Sequence, residues 1–193
     1  GSHGLLGKCN LYEGAIAVPL LMAGPGIPEG IVVDGITSHV DLFPTLVESS
    51  GVAMDAVDAS LPGQSLWPAL EGETGHRVGF AEYHAAMSLN GSFMLREGDL
   101  KLIYHVDMPC QLFDLAHDPD EVDDLAGHVE MAGTVARLET QLRAICNPEV
   151  VDRQAKADQF AKMEYWGGKE AVLAEGQLVI TPPPGIEAEI TGR

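Results

Sequence analysis

The feature that most constrains the fold is the change of character along residues 3–23. The stretch begins as polar residues interrupted by glycines and carries one lysine, Lys8, and it becomes continuously apolar from Ala17 to Ala23. Glycines let a backbone turn closely around a small ligand, and a cationic side chain on such a loop can meet an anion. The pattern therefore predicts an anion-binding loop followed by a short buried strand over 17–23, with Pro19 favouring a sheet edge.

The charge balance limits the partners of the chain. Among 193 residues there are 11 basic and 29 acidic ones, which gives a formal net charge of −18. Such a surface repels nucleic acid and anionic membranes, so we expect neither as a partner. No apolar run reaches the length of a membrane span. An anionic ligand would need local positive charge, and Lys8 is the only lysine or arginine before Arg77.

The cysteines argue against a disulfide framework and against a zinc knuckle. There are three of them, Cys9, Cys110 and Cys146, and they are not arranged in closely spaced pairs. An odd and sparse set of this kind is typical of a reducing compartment, so we expect a cytoplasmic location.

The N-terminal part of the chain predicts one further strand and one helix. Residues 31–36 favour a short strand. Ser38 and Asp41 form a helix-start signature, and apolar residues then recur with helical spacing up to Gly51. Pro44 lies within that run, so it predicts either a kink or a later start of the helix. Residues 52–76 are rich in glycine, proline and acidic residues, which predicts a loop with one helical turn.

The next part predicts a small antiparallel sheet. Strand-like segments cover 78–84, 93–96, 100–105 and 111–115, and Glu97-Gly98-Asp99 is a hairpin signal between two of them. Asp118-Pro119-Asp120-Glu121 has the sequence of a helix start. A calcium loop is not indicated at these acidic residues, because the glycine and the alternating oxygen ligands of that motif are missing.

The C-terminal part predicts two helices and an extended arm. Apolar residues of 129–145 fall on one helical face, and Pro148 begins a second helix that runs to about Trp166. Leu178–Thr181 favours a short strand. Pro182-Pro183-Pro184-Gly185 then predicts a stiff extended arm, which must lie on this fold or on a neighbour.

Several linked motifs resemble one family. They are H-G-L-x-G-K, Y-E-G, V-P-L and G-P-G within residues 3–26, T-S-H-V-D-L-F-P-T-L at 37–46, G-x-F-M-x-R-x-G-D-x-K-L-I-Y at 91–104, and Q-L-F-D-L-x-x-D-P-x-E at 111–121. In this order they resemble the C-terminal portion of sulfatases of the alkaline-phosphatase superfamily. The resemblance includes bacterial arylsulfatase-like and choline-sulfatase-like enzymes and phosphonate monoester hydrolases.

The resemblance implies an α/β fold. We expect the C-terminal part of an alkaline-phosphatase-like α/β/α sandwich, joined to a small antiparallel sheet with packed helices and to an extended C-terminal arm. The implied division is 1–76 for the end of the sulfatase core, 77–146 for the sheet and helix subdomain, and 147–193 for a helix and a proline-rich arm that contact an oligomer partner.

The resemblance also implies which residues bind substrate. Lys8 matches the lysine that contacts the sulfate, and His3 matches a histidine of the same loop. His84 follows a predicted strand in an E-Y-H phrase, where a histidine could hydrogen-bond a substrate or donate a proton. Ala17 departs from the family, which usually has arginine there, so a charged anchor is missing.

The reaction centre of the family is not found in this chain. Sulfatases of this type convert a Cys or Ser of C/S-x-P-x-R to formylglycine beside a divalent cation, commonly calcium, that is held by carboxylates. Cys146-Asn147-Pro148-Glu149-Val150 is a near miss, with Val150 in the place of the arginine. We therefore expect no catalytic residue and no metal ligand in these residues. Both sets would precede residue 1, and the chain alone would be inactive.

Three functions stay open at this point. The first is the C-terminal part of a hydrolase that cleaves sulfate esters. The second is a phosphonate monoester or phosphodiester hydrolase on the same scaffold, and the third is a non-catalytic assembly module with a vestigial anion pocket. Because the apolar run at 17–23 would form an exposed edge, we expect a homo-oligomer or a companion N-terminal chain.

Overall fold

The computed structural model describes residues 2–5, 7–73, 77–85 and 88–174. It divides into two compact units, Gly1–Pro148 and Glu149–Arg193, which are described separately. The strand and proline-rich arm predicted after residue 177 lie outside the described residues. The division of the first unit at residue 76 stays a prediction.

The predicted small antiparallel sheet is confirmed. It has four strands in the order β1-β2-β3-β4. The strands are β1 (Val78–Tyr83), β2 (Ser92–Glu97), β3 (Leu100–His105) and β4 (Gln111–Asp114). Gly98 turns the β2–β3 hairpin with a φ of 58°, a conformation that glycine adopts without steric cost.

One face of the sheet packs against a helix, α4 (Ala132–Ile145), as its amphipathic pattern predicts. Leu138 and Leu142 of α4 are fully buried, and so are Phe93 and Leu95 on β2. Glu97 lies on the same face of β2 and bonds to Arg137 and Gln141 of the helix. This face therefore combines an apolar centre with a polar margin.

The opposite face of the sheet packs against the N-terminal loop. Met94, Ile103 and Phe113 form a buried cluster with Leu11, and Tyr12 and Ile16 pack on its margin. Residues of three strands thus hold the segment that contains the Lys8 loop. A short helix, α1 (Glu13–Ile16), follows the loop directly.

The predicted strand at 17–23 is wrong, and so is the strand at 31–36. Both segments are irregular, and in the described part of the chain only β1 to β4 take part in sheet ladders. Val18 is 51% exposed and Leu21 is 92% exposed. An apolar run becomes a buried strand only where neighbouring strands pair with it, and the run itself carries no information about those neighbours.

The helix predicted from Ser38 is confirmed with a late start. A 3-10 helix (His39–Asp41) leads into α2 (Leu42–Ser49), and Ser38 N–H donates to Asp41 Oδ2 at 2.7 Å. Pro44 lies in the first turn of α2, where a missing N–H is tolerated, so the helix is not broken. Asp41 is buried and also pairs with Arg77, with Oδ1 2.6 Å from Nη2.

The connector after α2 contains two short turns instead of the single predicted one. They are a 3-10 helix (Asp58–Ser60) and α3 (Trp67–Leu70). The indole N–H of Trp67 donates to Ser49 Oγ at 3.0 Å, which ties α3 to the end of α2.

The helix predicted to begin at Asp118 is wrong. The segment is a turn, and Glu121 has a φ of 56° and is only 3% exposed. Its carboxylate lies 2.7 Å from Nζ of Lys101, which is itself fully buried. A buried ammonium must be paired, and this requirement outweighs the local preference for a helix start.

The second unit contains two helices, α5 (Pro148–Tyr165), whose first residue closes the first unit, and α6 (Gly168–Ala174). The bounds of α5 agree closely with the prediction. Lys156 pairs with Asp152 one turn earlier, at 2.8 Å. Among the described helices, none has the combination of length and apolar character needed to cross a membrane.

Candidate functional site

The loop that carries Lys8 is anchored by the residues that follow the lysine, whereas Lys8 itself is exposed. Leu11 is buried with 4% exposure, and Asn10 Oδ1 accepts a hydrogen bond from the Tyr12 N–H at 3.0 Å. Lys8 itself is exposed, and within the described part of the chain it has no ion pair or hydrogen bond. Its ammonium group is therefore available to an anion.

The same loop contacts the end of β1. The pKa of Tyr83 is raised mainly by a hydrogen bond with the Cys9 thiol, and to a smaller extent by burial and by the charge of Cys9. Tyr83 is the last residue of β1, and His84 follows it. Cys9 is adjacent to Lys8 and Tyr83 is adjacent to His84, so the Cys9–Tyr83 contact brings these two parts of the chain together.

His84 has a closely packed imidazole ring. Its side chain is 17% exposed, and its ring packs edge-on against Phe93 with centroids 5.1 Å apart. Nε2 lies 3.8 Å from Glu82 Oε2. A Cβ on Gly91 would lie 2.7 Å from Cε1 of the ring, so only glycine fits beside it. This packing fixes the orientation of the imidazole.

His3 lies beside the Lys8 loop. It is exposed, and its ring stacks on that of Tyr12 with centroids 3.8 Å apart and planes 8° from parallel. The Tyr12 hydroxyl donates to Gln111 Oε1 at 3.1 Å, at the start of β4. The stacking ties His3 to the sheet.

All three predicted site residues therefore lie toward one end of the sheet. Tyr83, Ser92 and His105 are paired across the ends of β1, β2 and β3, and Gln111 begins β4 nearby. His105 joins the set through Ser92 Oγ at 2.8 Å. The sequence did not single out Tyr12, Tyr83 or Gln111, because their contacts cross between distant segments. The substrate-binding roles of Lys8, His3 and His84 stay predictions.

A separate groove of about 680 Å³ opens beside α1. Ala17 is one of its lining residues and stands where the resemblance implies an arginine. Arg96 is the only lysine or arginine among the described residues that line it, and Arg96 Nη1 lies 3.4 Å from Glu13 Oε2. Lys8, His3 and His84 are not among the lining residues. The predicted anion site and the groove are thus different places.

A buried charge cluster lies below the start of α1. Lys101 Nζ is 2.9 Å from Glu13 Oε1 and 2.7 Å from Glu121 Oε1. The Glu13 N–H also donates to Glu121 Oε2 at 2.6 Å. The Y-E-G and K-L-I-Y motifs contain two of these residues, but the sequence gives no sign that they pair.

The described residues contain no group of three or more histidine, cysteine or acidic side chains that could hold a metal ion. The near miss of the nucleophile motif falls between two helices, since α4 ends before Cys146 and α5 begins at Pro148. Pro148 therefore acts as a helix-starting proline, and Val150 lies in the first turn of α5.

Comparisons with known proteins identify the family. A family profile described as the C-terminal region of N-sulphoglucosamine sulphohydrolase matches residues 1–147. Arylsulfatase K of Mus musculus is 33% identical over 178 residues, which cover 86% of this chain and 31% of that protein. The chain belongs to the sulfatase family.

Two further relatives agree with this assignment. Choline-sulfatase of Rhizobium meliloti is 39% identical over 126 residues, covering 65% of this chain and 24% of that protein. The solved phosphonate monoester hydrolase of Silicibacter pomeroyi superposes with a TM-score of 0.60 at 27% identity, covering 72% of this chain and 30% of that one. The mixed fold of helices and a small antiparallel sheet is therefore that of alkaline-phosphatase-like sulfatases. The chain spans less than a third of the length of each of these relatives.

Proposed function

We propose that this chain is the C-terminal part of a hydrolase that cleaves sulfate esters. Lys8 contacts the sulfuryl oxygens, and His84 and His3 complete this wall of the anion site. The observation that carries the proposal is the exposed Lys8 on a loop anchored at Leu11, in a chain of the sulfatase family. A sulfate ester brings negative charge that a fixed ammonium group can offset.

The proposal places the rest of the reaction centre outside this chain. A nucleophile and carboxylate ligands for a divalent cation, calcium in our proposal, would come from sequence before Gly1. Such a cation would polarise the ester when bound. The residues described above bind and orient the substrate: the Lys8 ammonium group meets the sulfuryl oxygens, and His84 donates a hydrogen bond.

The test is the hydrolysis of 4-nitrophenyl sulfate by the protein that contains this chain and the sequence before it. Lys8→Met should lower kcat/KM by roughly 100-fold, the effect typical of losing one donor to a developing oxyanion. Lys169→Met is the matched control, because Lys169 is an exposed lysine on α6 and is not one of the residues proposed for the site. Equal rates for the two variants would remove Lys8 from the site.

A phosphonate monoester or phosphodiester hydrolase is the second candidate, favoured by the likeness to the Silicibacter pomeroyi enzyme. Both substrates present a tetrahedral anion, so the same lysine could serve either. The ratio of kcat/KM for 4-nitrophenyl sulfate to that for 4-nitrophenyl phenylphosphonate decides between them. A ratio above one supports the sulfatase, and a ratio below one supports the second candidate.

We also propose that a companion N-terminal region or a second copy covers the exposed apolar surface of residues 17–36. The large apolar side chains exposed there are Val18, Leu20, Leu21, Ile31 and Val32. A surface of this kind marks an interaction site in a folded protein. Light scattering of the isolated 193-residue chain, which lacks the companion region, should then give a dimer or a larger assembly. A clean monomer of the isolated chain would contradict this proposal.

A further inference from the structure

We infer that Lys101 is a positioning residue, which holds the Lys8 loop in place through Glu13. Fixing this loop should order the anion site, and only that functional consequence rests on the proposed role of Lys8. Lys101 belongs to β3 and does not touch the substrate site. Its effect passes through the first residue of α1.

The geometry of Lys101 leaves little freedom to Glu13. The Lys101 side chain is fully buried, and its ammonium group meets two carboxylates, Glu13 at 2.9 Å and Glu121 at 2.7 Å. A buried ammonium cannot exchange these partners for water, so the carboxylates are held where the ammonium lies. Glu13 is therefore fixed from below by the sheet.

Glu121 fixes the backbone at the same point. Tyr12 provides no side-chain cap for α1, and the Glu13 N–H donates instead to Glu121 Oε2 at 2.6 Å. Glu121 thus caps the helix from a distant segment, which satisfies a donor that the helix leaves unpaired. Its own φ of 56° is strained for a residue other than glycine, and such strain persists where surrounding contacts fix it.

Arg96 completes the charge balance of the cluster. Its Nη1 lies 3.4 Å from Glu13 Oε2, so two cations face the two carboxylates of Glu13 and Glu121. Arg96 is 31% exposed, whereas Lys101 has no exposure. Because water screens the outer pair and not the inner one, Lys101 holds Glu13 more firmly than Arg96 does.

The loop connects Glu13 to Lys8 over a short distance along the chain. Only Cys9, Asn10, Leu11 and Tyr12 lie between them. Cys9 is half-buried, and Tyr83 packs against the apolar cluster that contains Leu11 of the same loop. Leu11 still anchors this segment in the apolar cluster, so release of Glu13 should loosen the segment without detaching it. The loosening should raise the exposure of the Cys9 thiol, which makes Cys9 the reporter.

The experiment measures alkylation of the three cysteines by iodoacetamide, with each site quantified by peptide mass spectrometry in the full 193-residue chain. Lys101→Met should raise the rate at Cys9 by roughly tenfold, as local opening exposes it, and leave the rates at Cys110 and Cys146 unchanged. Lys101→Arg should restore most of the slow rate at Cys9. Lys162→Met removes an exposed lysine of α5 and should change none of the three rates.

Two results would overturn the inference. One is an unchanged rate at Cys9 in folded Lys101→Met, and the other is an equal rise at all three cysteines, which shows a general loss of stability. If Lys101→Met does not fold, Glu13→Gln keeps the shape of the side chain and should raise the Cys9 rate alone. An unchanged Cys9 rate in that variant overturns the inference equally.

This readout is independent of catalysis. If Lys8→Met leaves sulfate hydrolysis unchanged, the proposed role of Lys8 fails, and the alkylation of Cys9 still decides whether Lys101 positions the loop.

Discussion

The backbone N–H of Glu13 donates a hydrogen bond of 2.6 Å to Oε2 of Glu121, which lies 108 residues further along the chain. The contact joins the first helical turn after the Lys8 loop to the segment after β4. The loop is therefore ordered by the small sheet and its connections. Substitutions that disturb the sheet should therefore disorder the loop before they disorder the rest of the first unit.

Glu121→Gln should lower the free energy of unfolding by about 3 kcal/mol, the typical cost of removing one partner from a buried ion pair. Lys101 would keep Glu13 as a partner but lose the charge at 2.7 Å. Urea denaturation at neutral pH measures the change. Glu130→Gln is the comparison, because Glu130 is 75% exposed, and we expect less than about 0.5 kcal/mol there. Equal losses for both variants would contradict the burial argument.

Gly91→Ala should displace the imidazole of His84. The new Cβ would lie 2.7 Å from His84 Cε1 and 3.1 Å from Phe93 Cε2. We expect a loss of about 2 kcal/mol in the free energy of unfolding, as for other overpacked sites, with a shift of the His84 ring signals in NMR spectra. Gly127→Ala has no atom within 4 Å of the new Cβ and should change neither quantity appreciably. Unmoved His84 signals in Gly91→Ala would contradict the packing.

The Asp114–His117 pair should stabilise the fold above acidic pH only. His117 Nδ1 lies 2.8 Å from Asp114 Oδ2, and this hydrogen bond is the main reason that the pKa of Asp114 is lowered. Because the pKa of Asp114 is lower in the folded chain, the pair stabilises the fold fully above the unfolded pKa of about 4. This stabilisation is lost as the pH falls through the folded pKa. The difference in melting temperature between the unmodified chain and His117→Ala should therefore shrink toward zero in acid. A constant difference down to the acid limit would exclude this origin.

Cys9→Ala should lower the pKa of Tyr83. The pKa is raised mainly by the hydrogen bond with the Cys9 thiol, so its loss returns the phenol toward the ordinary value of about 10. Because the pKa of Tyr83 is higher in the folded chain, the contact stabilises the fold fully below the unfolded pKa. This stabilisation is lost as the pH rises through the folded pKa. NMR titration of labelled tyrosine measures the change, and Cys110→Ala should leave the Tyr83 titration in place. An unaltered titration in Cys9→Ala would show that the Cys9 thiol does not hydrogen-bond the Tyr83 phenol.

Local patterns were sufficient to predict much of the fold. The hairpin at Gly98, the strand-like segments that become β2 and β3, and the apolar face of α4 each follow from residues close together in sequence. The start signal at Ser38 and Asp41 was also local, since Ser38 N–H bonds to a side chain three residues away. Such features are predictable because the residues that determine each element lie within that element or directly beside it in sequence.

The wrong predictions depend on partners far away in sequence. Glu121 has the local signal of a helix start, but Lys101 draws its carboxylate inward. The run after Ala17 has the composition of a strand, but no neighbouring strand pairs with it among the described residues. For the candidate site, the family motifs indicated Lys8, His3 and His84. The contacts that bring them to one end of the sheet, through Tyr12, Tyr83 and Gln111, could not be inferred from spacing.

We propose that this chain supplies a substrate-contacting wall and that the reaction centre lies outside it. The most direct measurement is the calcium-dependent hydrolysis of 4-nitrophenyl sulfate by the pure 193-residue chain, beside the same chain preceded by the rest of its reading frame. We predict no turnover by the 193-residue chain and measurable turnover by the longer protein. Calcium-dependent turnover by the 193-residue chain alone would contradict the account.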